Sequence, residues 1–192
     1  METTRPSLLV RVGQDQPDAW REFDMIYRPM LCRFARSQGL GEDDSEDVTQ
    51  FCMGAVHKHI KGFDYDPSKG RFKGWLRTLV NNRVRNLHRK RRDKAAETAD
   101  FRREQARERS PEEDFDAIWM EEHLKQCIRM VRLEVAAATF EAFKRHVLDE
   151  CPVADVCEQL GMTPNQVYKI KWRVTQKLNE KMKELFGDCQ EL

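Results

Sequence analysis

The sequence has no long uncharged segment, and this limits the classes of protein it can belong to. The longest runs that lack Asp, Glu, Lys and Arg are ten residues, 48–57 and 159–168, whereas a membrane-spanning helix needs roughly 20 apolar residues. Residues 1–10 contain one apolar run of three residues, which is too short for a secretory signal. We therefore expect a cytoplasmic protein with no membrane insertion.

Metal and thiol sites are also not indicated. The six cysteines include no Cys-x-x-Cys pair, and their spacing matches neither a zinc ribbon nor a disulfide framework. Five of them lie within or beside apolar stripes, as small buried side chains do in a reducing compartment. His57 and His59 project from opposite sides of a helix. We expect no metal, no cofactor and no catalytic residue.

Glycine is absent between Gly74 and Gly161, a gap of 86 residues, and strand-like alternation is missing there and nearly everywhere else. This pattern predicts an all-α fold. Apolar residues at steps of three and four over 20–34 predict a helix that Pro29 should kink or divide. The next helix opens in an acidic cluster, with Asp43 as the candidate N-cap.

A loop predicted at 62–74 places aromatic rings beside the strongest positive charge in the chain. Residues 69–94 contain 11 basic residues and one acid, a net +10, which is typical of a polyanion site. Aromatic faces stack on unpaired bases while cations follow the phosphates. The candidate contacts are Phe63, Lys69, Arg71, Phe72, Trp75, Asn82, Arg83, Asn86 and Arg89. Core packing is an equal alternative for Phe72 and Trp75, and simple solvent exposure is the alternative for the two asparagines.

Two domains are predicted, over residues 1–94 and 110–192. Residues 95–109 have few apolar side chains and balanced charge, which favours a linker or a solvated helical extension. Ser110-Pro-Glu-Glu113 then combines an N-cap, a proline at the first helical position and a capping-box glutamate. The second domain is therefore expected to begin with a helix.

Residues 152–180 have the pattern of a helix-turn-helix, in which Gly161 permits the turn and Thr163-Pro-Asn-Gln166 caps the second helix. Residues 164–183 carry a net +5. Such a helix fits the DNA major groove, where its first residues reach base edges and its flanking cations meet phosphates. The candidate base readers are Asn165, Gln166 and Lys169, and the candidate phosphate contacts are Lys171, Arg173 and Lys177. Trp172 could contact DNA or pack on a neighbouring helix.

The order of these features resembles the bacterial sigma-70 factors, specifically the short extracytoplasmic-function (ECF) type. The resemblance to the second conserved region of that family rests on five motifs: Ser45-Glu-Asp-Val-Thr-Gln50, Gly62-Phe-Asp, Gly70-Arg-Phe-Lys-Gly-Trp-Leu76, Asn82-Arg83 and Arg89-Lys-Arg-Arg92. The segment from Thr139 to Leu178 resembles the fourth region. The third region of larger sigma factors is missing.

The resemblance implies a promoter-recognition subunit rather than an enzyme. Glu46, Asp47 and Gln50 match the helix that docks on the clamp helices of the largest subunit of core RNA polymerase. Residues 63–72 match the loop that captures an extruded base of the minus 10 element, and the helix from Pro164 matches the one that reads the minus 35 element. The polymerase flap, promoter DNA and an anti-sigma factor are the other implied partners. Lys171 and Trp172 differ from the commonest residues at their positions, so no minus 35 sequence is implied.

Two other functions remain as alternatives. A stand-alone helix-turn-helix regulator would use the basic helix and aromatic loop only as solvated surface and core. A nuclease would bind Mg²⁺ through Asp43, Asp44 and Asp47, but three carboxylates at one helix start cannot converge on an octahedral ion without ligands from elsewhere.

Overall fold

A computed structural model describes residues 8–62, 71–98 and 110–186, without the side chains of residues 71, 94–98 and 184–186. The regular elements within these ranges are all helical, which confirms the predicted all-α fold. They are α1 (Leu8–Gly13), α2 (Pro17–Ser37), α3 (Glu42–His59), a 3₁₀ turn (Ile60–Gly62), α4 (Arg71–Thr98), α5 (Pro111–Glu134), α6 (Ala137–Phe143), a π turn (Lys144–Leu148), α7 (Val153–Leu160) and α8 (Pro164–Phe186). None of the helices in the described ranges is long and apolar enough to cross a membrane.

The chain divides into two compact units, residues 1–122 and 123–192. The division falls inside α5, so the first half of this helix packs with the N-terminal unit. The predicted domains, residues 1–94 and 110–192 with a linker at 95–109, stay a prediction.

The core of the N-terminal unit is built on α2. Its buried residues recur at helical spacing and include Phe23, Ile26, Met30 and Phe34, and they pack in one cluster with residues of α3 and α4. Pro29 does not divide the helix, contrary to one of the two expected outcomes. Proline has no amide hydrogen to donate to the carbonyl four residues earlier. Because Pro29 lies on the exposed side of α2, that carbonyl can face solvent instead.

Two local predictions for this unit, the N-cap at Asp43 and the extent of the loop at 62–74, were wrong. Helix α3 begins at Glu42 with Gly41 as its N-cap, and no side chain caps it. Asp43 is therefore a first-turn acid that complements the helix dipole rather than the cap. Helix α4 begins at Arg71, inside the loop predicted at 62–74, so Phe72 is a helical residue.

The predicted start of α5 is confirmed. The Glu113 amide donates to Ser110 Oγ at 3.2 Å, and the Ser110 amide donates to Glu113 Oε2 at 2.8 Å. These reciprocal bonds form a capping box, which satisfies two amides that the helix leaves unpaired.

The C-terminal unit contains the predicted helix-turn-helix. Helix α7 ends at Leu160 and is followed by Gly161, whose φ of +63° is left-handed and suits glycine. The Gln166 amide donates to Thr163 Oγ1 at 3.3 Å, and the Thr163 amide donates to Gln166 Oε1 at 2.7 Å, so α8 also begins in a capping box. Val156, Val167 and Val174 are buried and hold the two helices together.

Candidate nucleic-acid and polymerase interfaces

One face of α4 collects four of the residues predicted to contact nucleic acid. Asn82, Asn86 and Arg89 are exposed, whereas Trp75 is half-buried and packs against the core, with its ring 5.9 Å from that of Phe72. At 3.6 residues per turn these four side chains lie within an arc of about 60° and extend over about 21 Å of the helix. The face offers one aromatic ring, two amides and one guanidinium, which is the chemistry that a single strand of bases and phosphates requires.

The opposite face of α4 holds the helix in place. Leu76, Val80 and Val84 are buried in the core of the N-terminal unit. Because these side chains fix the rotation of α4 about its axis, the polar face is presented by a packed helix. Arg85 lies beside that polar face and is well exposed. Arg85 is one of the basic residues of 69–94, but it is not among the predicted contacts. It lies three residues after Asn82 and four before Arg89, and this helical spacing could have indicated it.

Two predicted contacts have other roles in the structure. Phe72 is 3 % exposed and lies edge-on to Tyr27 at 5.5 Å between ring centroids, so it is a core residue and its placement among the DNA contacts is revised. The Arg83 guanidinium lies 4.6 Å from the Phe51 ring centroid and joins α4 to α3. Phe63, Lys69 and the side chain of Arg71 lie outside the described residues.

The three residues predicted to dock on polymerase share the exposed side of α3. Glu46, Asp47 and Gln50 lie within an arc of about 100°, and all three are exposed. Arg28 of α2 holds Glu46 in place, because its NH1 donates to Glu46 Oε1 at 2.6 Å and its Nε to Asp24 Oδ1 at 3.0 Å. Val48, Cys52 and Val56 on the other side are buried.

The acidic face of α3 continues into an apolar groove that the sequence reasoning missed. Met53 and His57 follow Gln50 at helical spacing, and they line a shallow depression that is open to solvent, together with Trp20, Arg21, Asp24 and Met25. The His57 ring lies 4.9 Å from the Trp20 ring, and Met25 is 59 % exposed. Met53 lies three residues after Gln50 and His57 four residues after Met53, so helical spacing could have revealed both, whereas the contribution of α2 is a tertiary contact.

The exposed face of α8 has the features of a DNA-reading helix. Asn165, Lys169 and Trp172 lie within about 60° of arc, with Arg173 beside them, and all four are exposed. Trp172 is 67 % exposed, so it does not pack on a neighbouring helix as one interpretation allowed. Indole and amide groups at this surface can contact base edges in a groove.

Three of the other predicted contacts of α8 are constrained or set apart. The Gln166 Oε1 accepts from both the amide and the hydroxyl of Thr163, so only its Nε2 remains to donate to a base. Lys177 Nζ lies 3.8 Å from Glu134 Oε2 and is half-buried. Lys171 is exposed but lies roughly 120° around the helix from Asn165.

The comparison with protein families identifies the segment that carries the first two faces. Residues 25–94 match the family model of sigma-70 region 2. This segment of the chain is therefore similar to region 2 of the sigma-70 factors. No curated protein matches the chain at a significant level.

The region 2 segment includes the acidic face of α3 and the polar face of α4, and it ends near the close of the basic run. It covers little more than a third of the chain, and residues 110–186 with the helix-turn-helix lie outside it. The assignment of that part to sigma region 4, and the ECF subtype, therefore belong to the proposal below.

One thiol of region 2, that of Cys52, is buried in the core. Burial raises the pKa of the Cys52 thiol to about 12, although the Arg83 charge acts in the opposite direction. A thiol with such a pKa is a poor nucleophile at neutral pH. Over the residues that the structure describes, no group of three or more His, Cys, Asp and Glu could hold a metal ion.

Proposed function

We propose that the chain is an ECF-type sigma factor that binds core RNA polymerase and directs promoter-specific transcription initiation. Region 2 holds the minus 10 element as a melted strand, and α8 reads the minus 35 element as duplex. The observation that carries the proposal is the polar face of α4, where Trp75, Asn82, Asn86 and Arg89 line up within a segment that matches sigma-70 region 2.

The binding free energy that this face can supply is of the size needed to hold single-stranded DNA with an extruded base. Extruding a base costs a few kcal/mol, while stacking on an aromatic ring contributes about 1–3 kcal/mol per base. A single ring at Trp75 therefore offsets about one extruded base, and amide groups at Asn82 and Asn86 add hydrogen bonds to its edges. Phe63 and Lys69 are expected to complete the site from the preceding loop.

The docking of the polymerase is assigned to the exposed face of α3. Glu46, Asp47 and Gln50 are expected to meet a cationic surface of the clamp helices, and the groove of Met53, His57 and Met25 offers apolar area beside them. Acidic residues around an apolar centre give orientation and association rate, while the centre gives affinity.

The second contact with the promoter is assigned to α8, with the polymerase flap as a further partner of residues 110–192. Asn165, Lys169, Trp172 and Arg173 form its reading surface. The function proposed for both regions is non-enzymatic recognition in the cytoplasm. An anti-sigma factor that covers these surfaces is part of the proposal only through the family resemblance.

The test is promoter-specific initiation in a purified system. The chain is added to core polymerase with fragments of genomic DNA, and the 5′ ends of the transcripts are sequenced. Initiation at a common set of sites that share minus 10 and minus 35 elements supports the proposal. Transcripts identical to those from core polymerase alone would overturn it.

A stand-alone helix-turn-helix regulator is the second candidate, and the exposed recognition face of α8 favours it equally. The two functions differ in what the isolated chain does. A regulator binds a specific duplex without polymerase at nanomolar concentration, whereas a sigma factor needs core polymerase to select a promoter. Selection of random duplex sequences with and without core polymerase separates the two.

A further inference from the structure

Two large aromatic side chains are exposed on α8. Tyr168 is 55 % exposed and Trp172 is 67 % exposed. They lie four residues apart, so they follow one another along the same side of the helix. Tyr168 is not among the DNA contacts predicted from the sequence, and its exposure next to Trp172 shows that packing of the C-terminal unit does not use its ring.

The aromatic and basic side chains occupy different edges of the exposed face of α8. At 100° per residue, Trp172 and Tyr168 lie about 20° and about 60° to one side of Asn165. Lys169 and Arg173 lie about 40° and about 80° to the other side. The face therefore has an aromatic edge, made of Tyr168 and Trp172, and a basic edge, made of Lys169 and Arg173.

The Tyr168 ring is supported from the π turn (Lys144–Leu148) of the same unit. The His146 ring lies edge-on to it, with 6.1 Å between the ring centroids and an interplanar angle of 79°. His146 is itself held, because its Nδ1 donates to the Cys151 carbonyl oxygen at 3.1 Å. Tyr168 is thus oriented before any ligand arrives, which lowers the entropy cost of binding.

The chemistry of the aromatic edge fits one group in the DNA major groove. The base edges there present hydrogen-bond donors and acceptors, and thymine adds an apolar C5 methyl group that side chains recognise by apolar contact. The surroundings of the two rings also favour DNA over an apolar protein surface. Residues 164–183 carry six basic residues and one acid, and such a charge attracts the phosphates on both sides of a groove.

We infer that the aromatic edge of α8 reads thymine through its C5 methyl group, with Tyr168 as a specificity-determining residue and His146 as its positioning residue. The inference rests on the proposed function in one respect, that α8 reads duplex DNA, which a stand-alone regulator would also do. The sequence bound by α8 should therefore contain thymine beside the first two turns of the helix.

The test compares duplexes that differ by single methyl groups. A duplex is first selected from random sequences by the full chain with core polymerase, or by the chain alone if only that selects one. Each thymine of its upstream, double-stranded element is then replaced singly by deoxyuridine, which keeps the hydrogen-bonding groups and lacks only the methyl. We expect at least one replacement to lower affinity about threefold to fivefold, the value of burying one such group.

The variants assign this discrimination to the aromatic edge. Tyr168→Ala should bring the ratio of the thymine and deoxyuridine affinities to about one at the thymine that Tyr168 contacts, whereas Tyr168→Phe keeps the ring and should keep the ratio. His146→Ala should lower the ratio, which a purely structural role would leave unchanged. Lys171→Ala is the matched control on another side of α8, and it should weaken both duplexes equally because phosphate contacts carry no sequence information.

Circular dichroism confirms that each variant is folded, and the outcomes then separate the two ideas. Equal affinity for thymine and deoxyuridine at every position would overturn the inference and leave duplex recognition by α8 intact. A Tyr168→Ala variant that keeps the ratio but loses affinity for core polymerase would overturn it too, since the aromatic edge would then be a protein contact. Loss of the ratio in Tyr168→Phe would assign the discrimination to the hydroxyl and overturn the methyl contact. Selection of no duplex, with or without polymerase, would overturn both candidate functions and this inference with them.

Discussion

Reversal of the charge at Asp47 separates polymerase docking from folding. Asp47 is exposed on α3, and it lies in the second turn of the helix, beyond the first turn where the helix dipole acts strongly. Asp47→Arg should therefore change the free energy of unfolding by no more than about 0.5 kcal/mol, as surface substitutions usually do.

The effect on polymerase binding should be much larger. If Asp47 meets a cation of the clamp helices in a desolvated contact, the reversal removes an ion pair and places two like charges together. Loss of one partner from such a contact costs about 2–5 kcal/mol, and the lower value already corresponds to about a 30-fold rise in Kd. Glu46 and Gln50 are unchanged in this variant, so a loss of affinity for core polymerase is assigned to position 47.

The assay is a titration of labelled chain with core polymerase, without DNA, accompanied by urea unfolding of each variant. Asp93→Arg is the matched control, because Asp93 is exposed and lies in the same region 2 segment but on α4. The reasoning is refuted if Asp47→Arg binds core polymerase as the wild type does. It is also refuted if Asp93→Arg loses as much affinity, since the effect would then be one of overall charge.

Three further predictions concern α8, the buried thiol and the core. Lys169→Ala should weaken promoter binding by the holoenzyme by about 1–3 kcal/mol, the value of a good base contact, and leave core binding unchanged; equal losses in both titrations would contradict its role in reading DNA. The Cys52 thiol has a pKa of about 12, so about one part in 10,000 of it is thiolate at pH 8. Iodoacetamide should therefore modify Cys52 only after the protein unfolds. Detection of the modified Cys52 in native protein by mass spectrometry would disprove this. Phe72→Ala should lower the free energy of unfolding by about 3–5 kcal/mol because it empties a buried site; a urea midpoint like that of the wild type would place Phe72 outside the core.

The sequence was sufficient to predict an interaction where its two residues lie within one helical turn of each other. Ser110 with Glu113 and Thr163 with Gln166 are each three residues apart, so the capping boxes could be recognised from the sequence. The left-handed turn at Gly161 follows from the same kind of short-range rule. The face of α4 that carries Asn82, Asn86 and Arg89 is likewise a matter of helical spacing.

Interactions between distant segments could not be predicted in this way. The sequence left Phe72 undecided between a base and the core, and the decision comes from Tyr27 on another helix. The seat of Trp119 beside Tyr27 and Phe72 depends on residues more than 40 positions away. Helix spacing specifies which side chains share a face, but the partner of that face is set by tertiary packing.

The charge distribution gains a structural meaning from these contacts. The net charge of +1 hides a +10 run in residues 69–94 and the acids at the start of α5. Along the sequence these two segments are separate, and the acids could be regarded only as helix-capping residues. In the folded unit Asp116 reaches Lys73 and Arg77, so part of the neutrality is local and is made by specific ion pairs. The positive charge that α4 presents to solvent is therefore smaller than its sequence total implies.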